Sequence, residues 1–146
     1  MRTENEMNGK LSTWMKSLWP EYRHFKASDK YQVGVPDFIL WGNGKSCVLE
    51  SKFIPSIPTK GKSWLKHPFS APQKNFMRSV VKTGNIAFGL VGVKETKRMM
   101  LISIESIDKS GNINSDEGGK WFPITKEGTG ELMEYIFKEY HHGECS

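Results

Sequence analysis

The most informative stretch of this 146-residue chain runs from Gly34 to Phe53 and reads G-V-P-D-F-I-L-W-G-N-G-K-S-C-V-L-E-S-K-F. Two apolar runs flank a Gly-Asn-Gly triplet, which supplies the positive φ angles that a tight hairpin turn requires. Asp37 precedes the first run. Glu50 and Lys52 lie in the second, where strand alternation puts them on one face. The hairpin therefore predicts two carboxylates beside one ammonium, and a hard divalent cation prefers such oxygen ligands.

The charge of the chain is unevenly distributed. Residues 1–100 contain 17 Lys or Arg and 7 Asp or Glu, whereas residues 101–146 contain 4 and 9. Between positions 45 and 82 the only acid is Glu50, among eight basic residues: Lys45, Lys52, Lys60, Lys62, Lys66, Lys74, Arg78 and Lys82. A basic segment beside a carboxylate metal site suits a phosphodiester substrate. The alternative is a lysine-rich surface that is simply solvated.

Composition also argues against several classes of protein. No apolar run approaches the roughly 18 to 20 residues of a membrane span, and the N-terminus is too polar for a signal peptide. The two cysteines, Cys47 and Cys145, lie far apart without a metal-binding spacing, so we expect free thiols in a reducing compartment. Zinc has no plausible ligand set. We therefore expect a cytoplasmic protein of one domain, with a motif-bearing core at about 1–104 and an acidic C-terminal part at about 105–142.

Hydrophobic periodicity and breaker residues predict an alternation of helices and strands. Helices are predicted over 3–18, between the Ser70 N-cap and the Gly84 C-cap, and over Thr129–Tyr140. Residues 59–69 and 108–120 are predicted to be mobile loops, and the first of these interleaves lysines with aromatic residues in a way that suits contacts with nucleic acid. The predicted strands are Tyr22–Lys26, Phe38–Trp41, Ser46–Phe53, Ile86–Val93, Met99–Ile104 and Trp121–Ile124.

The motifs together resemble the PD-(D/E)xK nuclease superfamily. The matching residues are Pro36-Asp37, Glu50-Ser51-Lys52, and the stretch from Gln73 to Val93, in which a Gln opens a helix that ends at a Gly and a buried strand follows. The pattern is most similar to RecU-like Holliday-junction resolvases and to small phage and VRR-NUC nucleases, over about residues 1 to 95. The resemblance implies an α/β, restriction-endonuclease-like core, with a central mixed β-sheet flanked by helices. It also implies a phage-encoded protein as one origin.

The resemblance implies a catalytic site as well. Asp37, Glu50 and the backbone carbonyl of Ser51 would hold Mg²⁺ or Mn²⁺, and Lys52 would orient the attacking water or stabilise charge in the transition state. A Glu on the first helix supplies a further ligand in many such enzymes.

Glu4 and Glu6 are the two candidates on this helix, and the sequence gives Glu6 a slight preference. Either acid can instead be there for the helix dipole, which favours negative charge in a first turn.

Gln73 has two interpretations. It lies three residues after Ser70, so it can complete a capping box. The resemblance instead directs Gln73 to the active site, against the attacking water or a phosphate, and we favour this second role.

The implied function is a metal-dependent DNA endonuclease, structure-specific like the resolvases, since no base-reading module is present. A homodimer follows from the resemblance only. The alternatives are a DNA-binding protein of this fold without activity, a VRR-NUC-type nuclease of flaps or duplexes, and a structural or inhibitor protein of a phage. Six residues are candidates for DNA contact: Lys30, Lys60, Lys62, Lys66, Lys74 and Arg78.

Overall fold

The sheet of this protein contains six strands that lie side by side in chain order. The computed structural model describes residues 1–27 and 34–141. Strands β3 and β4 are parallel, and every other neighbouring pair is antiparallel. The strands are β1 (Tyr22–Lys26), β2 (Phe38–Gly42), β3 (Lys45–Ile54), β4 (Ile86–Val93), β5 (Arg98–Ser103) and β6 (Lys120–Pro123). The helices are α1 (Glu4–Lys16), α2 (Ala71–Lys82) and α3 (Lys126–Glu134). In the described ranges, no helix combines the length and apolarity needed to cross a bilayer.

The hairpin between β2 and β3 has a two-residue turn. Asn43 and Gly44 have φ angles of 49° and 72°, which is the pattern of a type I′ turn and matches the twist of the flanking strands. The Asn43 side chain donates a hydrogen bond to the Phe137 carbonyl at 3.0 Å and so fastens the turn to the C-terminal segment. The predicted hairpin is confirmed.

The parallel pair requires a crossover connection, and α2 supplies it. The Ser70 hydroxyl accepts a hydrogen bond from the Gln73 backbone, and Pro72 occupies the first turn, where a missing N–H has no cost. Gly84, with φ of 86°, follows the helix end. The predicted bounds of this helix are therefore confirmed.

The two faces of the sheet bury separate hydrophobic cores because strand side chains alternate. One core lies beneath α1 and α3 and includes Met7, Leu11 and Leu132. The other lies beneath α2 and the segment before it, and includes Met77 and Phe69. This mixed sheet flanked by helices confirms the predicted fold class.

The C-terminal helix begins earlier than the sequence predicted. Thr125 caps α3 by accepting a hydrogen bond from the Gly128 backbone, so the helix starts at Lys126 rather than at Thr129. The α-helix stops at Glu134, and one π-helical turn, Tyr135–Glu139, follows. Gly128 and Gly130 have low helix propensity, so the sequence did not predict this first turn.

The two loops predicted to be mobile are joined to each other. Asn112 is buried; its amide donates to the Leu65 carbonyl and its oxygen accepts from the Leu65 backbone, both at 2.8 Å. The backbones of Trp64 and Phe69 donate to Ile113 and Gly111. Trp64, Leu65 and Phe69 are buried in the core beneath α2. Residues 64–69, predicted as part of a mobile loop at 59–69, are therefore packed into the fold.

We predict that Gly89→Ala destabilises the protein. A Cβ at this position would lie 2.8 Å from Phe69 Cζ and 3.1 Å from Ile102 Cγ1, inside the core. Overpacking of this kind costs about 1–3 kcal/mol, measurable as a lower midpoint in urea denaturation. Gly130→Ala is the matched control because a Cβ there meets nothing within 4 Å, and the helix should gain slightly from it. Equal stability of the two variants would contradict the packing described above.

Candidate metal centre

The candidate site lies where β3 extends beyond β2. The two strands pair only as far as Phe38 and Leu49, while β3 continues to Ile54. Asp37, the residue before β2, occupies the first place beyond this pairing. Its Oδ2 accepts a hydrogen bond from the Ser51 backbone at 2.8 Å. The carboxylate therefore takes the place that the next ladder partner of β3 would have held.

Three carboxylates converge at this place. Glu4, Asp37 and Glu50 each bring one oxygen within 4.8 Å of the other two. Asp37 and Glu50 come from the hairpin, as the sequence predicted, and Glu4 comes from the first turn of α1. Helix α1, strand β3 and the residue before β2 therefore contribute one acid each to a cluster of the size that a single cation can bridge.

The geometry favours Glu4 over Glu6, which corrects the preference drawn from the sequence. Glu6 accepts a hydrogen bond from the Arg2 backbone at 2.8 Å and lies 3.9 Å from the N-terminal ammonium, with its side chain 48% exposed. The physical reason is helix phase. Glu4 lies three and seven residues before Met7 and Leu11, which are buried, so it shares the inward face. Glu6 does not.

Gln73 satisfies both interpretations of its position at once. Its Oε1 accepts from the Ser70 backbone at 2.9 Å, which completes the capping box. Its Nε2 donates to Glu50 Oε1, also at 2.9 Å. Lys52 Nζ lies 3.4 Å from the same Gln73 Oε1. One amide therefore connects the start of α2, the acid and the ammonium.

The Lys52 side chain crosses an aromatic ring that the sequence analysis did not single out. Lys52 Nζ lies 5.2 Å from the centroid of the Phe69 ring, within the range of a cation–π contact. Phe69 is itself fixed, since it is 1% exposed. The ring therefore limits where the ammonium can go. No local signal marks Phe69, because its position depends on the connection to residues 111–113.

Burial and mutual repulsion raise the pKa values of Glu50 and Glu4. Burial first, and then the Asp37 carboxylate, raise the pKa of Glu50 to about 9. Burial and Asp37 also raise the pKa of Glu4. These are the shifts expected when like charges share a desolvated site. A cation of charge +2 at the same place would reverse the effect and favour the ionised carboxylates.

The donor set fits a hard cation. All three candidate ligands are carboxylate oxygens, which Mg²⁺ and Mn²⁺ prefer. Glu50 Oε1 is occupied by Gln73, whereas Glu50 Oε2 is buried without a hydrogen-bond partner, and an orphaned buried oxygen of this kind calls for a ligand. The Ser51 carbonyl faces the same edge as its N–H, as strand geometry requires, so it too is directed towards Asp37.

The six candidates for DNA contact fall into three groups. Lys60, Lys62 and Lys66 are exposed on the segment before α2, and Arg78 is exposed on α2. Lys74 is buried and donates a hydrogen bond to the Lys109 carbonyl at 2.8 Å, so its proposed contact with DNA is corrected to a structural role. Lys30 lies outside the described residues.

The fold and the carboxylate cluster define a class, an α/β protein of nuclease-like architecture. No protein-family model and no curated protein matches the sequence. Among solved structures, the chain is similar to Hjc from Archaeoglobus fulgidus, a Holliday junction resolvase from an archaeal hyperthermophile. The TM-score is 0.51 at 12% identity, with 80% of this chain and 87% of that chain covered. At this identity the similarity shows the shared fold.

We predict that the metal-free protein loses stability as the pH rises, and that Glu50 causes much of the loss. Folding raises the pKa of Glu50 from its ordinary value of 4.5 to about 9, so between these pH values the folded state binds a proton that the unfolded chain releases. The free energy of unfolding therefore falls across this window. Urea denaturation in EDTA at several pH values measures it. Glu50→Gln should flatten the slope, whereas the exposed Glu131→Gln should not. Equal slopes in wild type and Glu50→Gln would contradict the assignment.

Proposed function

We propose that this protein is a metal-dependent endonuclease that hydrolyses phosphodiester bonds in branched DNA. The observation that carries the proposal is the convergence of Glu4, Asp37 and Glu50 within 4.8 Å, with the Lys52 ammonium beside them through Gln73. Two strands and a helix are committed to this arrangement, although it costs the metal-free fold electrostatic repulsion. A binding site for a divalent cation explains why.

The cation would be Mg²⁺ or Mn²⁺, held by Asp37, Glu50, Glu4 and the Ser51 carbonyl. Such an ion lowers the pKa of a bound water and neutralises charge on a scissile phosphate. Glu50 presents its free Oε2 because Gln73 holds the other oxygen. Asp37 is fixed in turn by the Ser51 backbone. Neither carboxylate then needs to reorganise when a cation arrives, which is the preorganisation that catalysis requires.

Lys52 is proposed to stabilise negative charge on the phosphate as the bond breaks. Phe69 and Gln73 restrict its ammonium, so the positive charge is placed before substrate binds. Gln73 is proposed as a positioning residue for Glu50 and Lys52. Its capping role anchors it to the start of α2, and the amide therefore cannot drift from the site.

The choice of DNA as substrate rests on charge and on fold. The exposed Lys60, Lys62, Lys66 and Arg78 provide a basic surface on the α2 side of the sheet, where phosphates would bind. The fold is shared with a protein named as a Holliday junction resolvase, which supports branched DNA. A homodimer that places two sites on one branched molecule is part of the same proposal.

We predict that Mn²⁺ stabilises the wild-type protein and that Glu4, not Glu6, contributes to its binding. At a hundred times the dissociation constant, the free energy of unfolding should rise by about 2.7 kcal/mol. Calorimetric titration and thermal unfolding measure both effects. Glu4→Gln should weaken the affinity, whereas Glu6→Gln, a change of the same chemistry two residues away, should leave it unaltered. The ligand set is wrong if Glu6→Gln weakens binding as much as Glu4→Gln does.

We predict that Asp37→Asn abolishes cleavage and that Lys52→Ala strongly reduces it, while DNA binding persists in both variants. Removing Lys52 should reduce turnover by about 10²- to 10³-fold, as loss of one preorganised charge typically does. The assay uses Mg²⁺ or Mn²⁺ with labelled four-way junction, flap, single strand and duplex. Lys126→Ala is the control, since it removes an exposed ammonium on α3, away from the candidate site and from the basic surface on the α2 side. If wild type cuts none of these DNAs but binds them, the protein is a DNA-binding member of this fold without activity.

A further inference from the structure

One face of β1 and β2 carries exposed aromatic side chains that neither hydrophobic core covers. Phe25 is 58% exposed and Trp41 is 44% exposed. In the strand register Phe25 pairs with Ile39, and Arg23 pairs with Trp41, so all four side chains lie on the same side of the sheet. We call this surface, Arg23, Phe25, Ile39 and Trp41, the open face. Large aromatic residues exposed together on a strand pair mark a binding surface rather than a core.

The open face continues directly into the candidate metal centre. Asp37, Ile39 and Trp41 alternate along one chain and therefore share one side. The Ala27 backbone donates to the Asp37 carbonyl at 2.8 Å, which carries the β1–β2 pairing up to the acid. Trp41 is four residues after Asp37, and at about 3.4 Å per residue the two lie about 14 Å apart along the strand. A ligand on the open face would thus reach the carboxylates without turning a corner.

The helix α2 borders this face on the other side. Phe76 is 37% exposed and lies three residues after Gln73, on a neighbouring part of the helix surface. Gln73 reaches Glu50, whereas the Lys74 side chain reaches the Lys109 carbonyl. Helix phase therefore puts Phe76, a third exposed ring, on the same flank of α2 as Gln73 and away from Lys74.

The charge of the open face indicates its ligand. Arg23 is the cation of the open face, and neither strand, Y-R-H-F-K or F-I-L-W-G, contains an acid. His24 and Lys26 alternate to the opposite side of the sheet, where His24 contacts Ser12. Exposed rings beside a cation on a strand surface form the kind of platform that single-stranded nucleic acids use, since every base has a π-face to stack. A paired duplex keeps its bases stacked inside and offers such rings only its sugar–phosphate surface.

We propose that the open face binds an unpaired DNA strand by stacking its bases on Phe25 and Trp41, and directs that strand into the metal centre. The inference rests on the proposed nuclease function and deepens it. It assigns the substrate to branched DNA that has a single-stranded arm, such as a flap or a splayed end, rather than to a fully paired junction.

The test measures binding of a labelled oligothymidylate by fluorescence anisotropy in EDTA, where no cleavage is needed. Phe25→Leu and Trp41→Leu remove the rings and keep apolar side chains, and each should weaken binding by about 5- to 100-fold, the usual effect of losing one stacked base. Phe25→Tyr and Trp41→Phe should restore binding because a ring remains. Ile57→Ala, an exposed apolar residue outside the open face, should have no effect.

Sedimentation of the same variants and a cleavage assay separate the possible failures. Unchanged oligonucleotide affinity in both leucine variants would overturn the proposal. So would a wild-type dimer that becomes a monomer in these variants, since the open face would then be an interface between copies. If the rings control binding but no DNA is cut with Mn²⁺, the proposed nuclease function fails and the strand-binding surface stands.

Discussion

The three clustered carboxylates impose an electrostatic cost that the surrounding fold must offset. Glu50 is 5% exposed and shares its surroundings with Asp37 and Glu4, and water cannot screen ionised carboxylates there well. The fold keeps them together through donors placed from outside the cluster. The Ser51 backbone holds Asp37 and the Gln73 amide holds Glu50. Ser51 lies in β3 and Gln73 in α2, so both donors that offset the repulsion come from regular secondary structure and not from a loop.

The connection between β3 and α2 is built for the same purpose. The parallel pairing of β3 with β4 obliges the chain to cross over, and the crossing helix begins directly above Glu50. Phe69 packs over Gly89, the residue that pairs with Glu50 in the neighbouring strand. The absence of a side chain at Gly89 therefore leaves room for the ring under Lys52. The space left by Gly89 holds the Phe69 ring, and this ring and the Gln73 amide together restrict the Lys52 ammonium.

Local pattern predicted the strands and the central acids, because hairpin turns and strand alternation act over a few residues. β1 and β4 have the predicted bounds. The acid of α1 was misjudged although its helix was found. The apolar stripe, extended backwards by seven residues from Leu11, falls on Glu4, and this helix phase was the signal that was available. The attachment of Leu65 to Asn112 spans 47 positions and could not have been predicted, since nothing near either residue announces it.

The position at which β2 begins, Phe38, explains both the metal centre and the open face. If β2 began before Phe38, a further ladder partner would cover the Ser51 backbone, and Asp37 would lie within the sheet without access to Glu4. Because β2 begins only at Phe38, the edge of β3 beyond Leu49 is not paired with β2. Acids from α1 and from the residue before β2 reach this edge. The same short hairpin carries Ile39 and Trp41 on the side where α2 packs over β3 and β4. The start of β2 at Phe38 therefore accounts both for the carboxylate cluster and for the open face that leads to it.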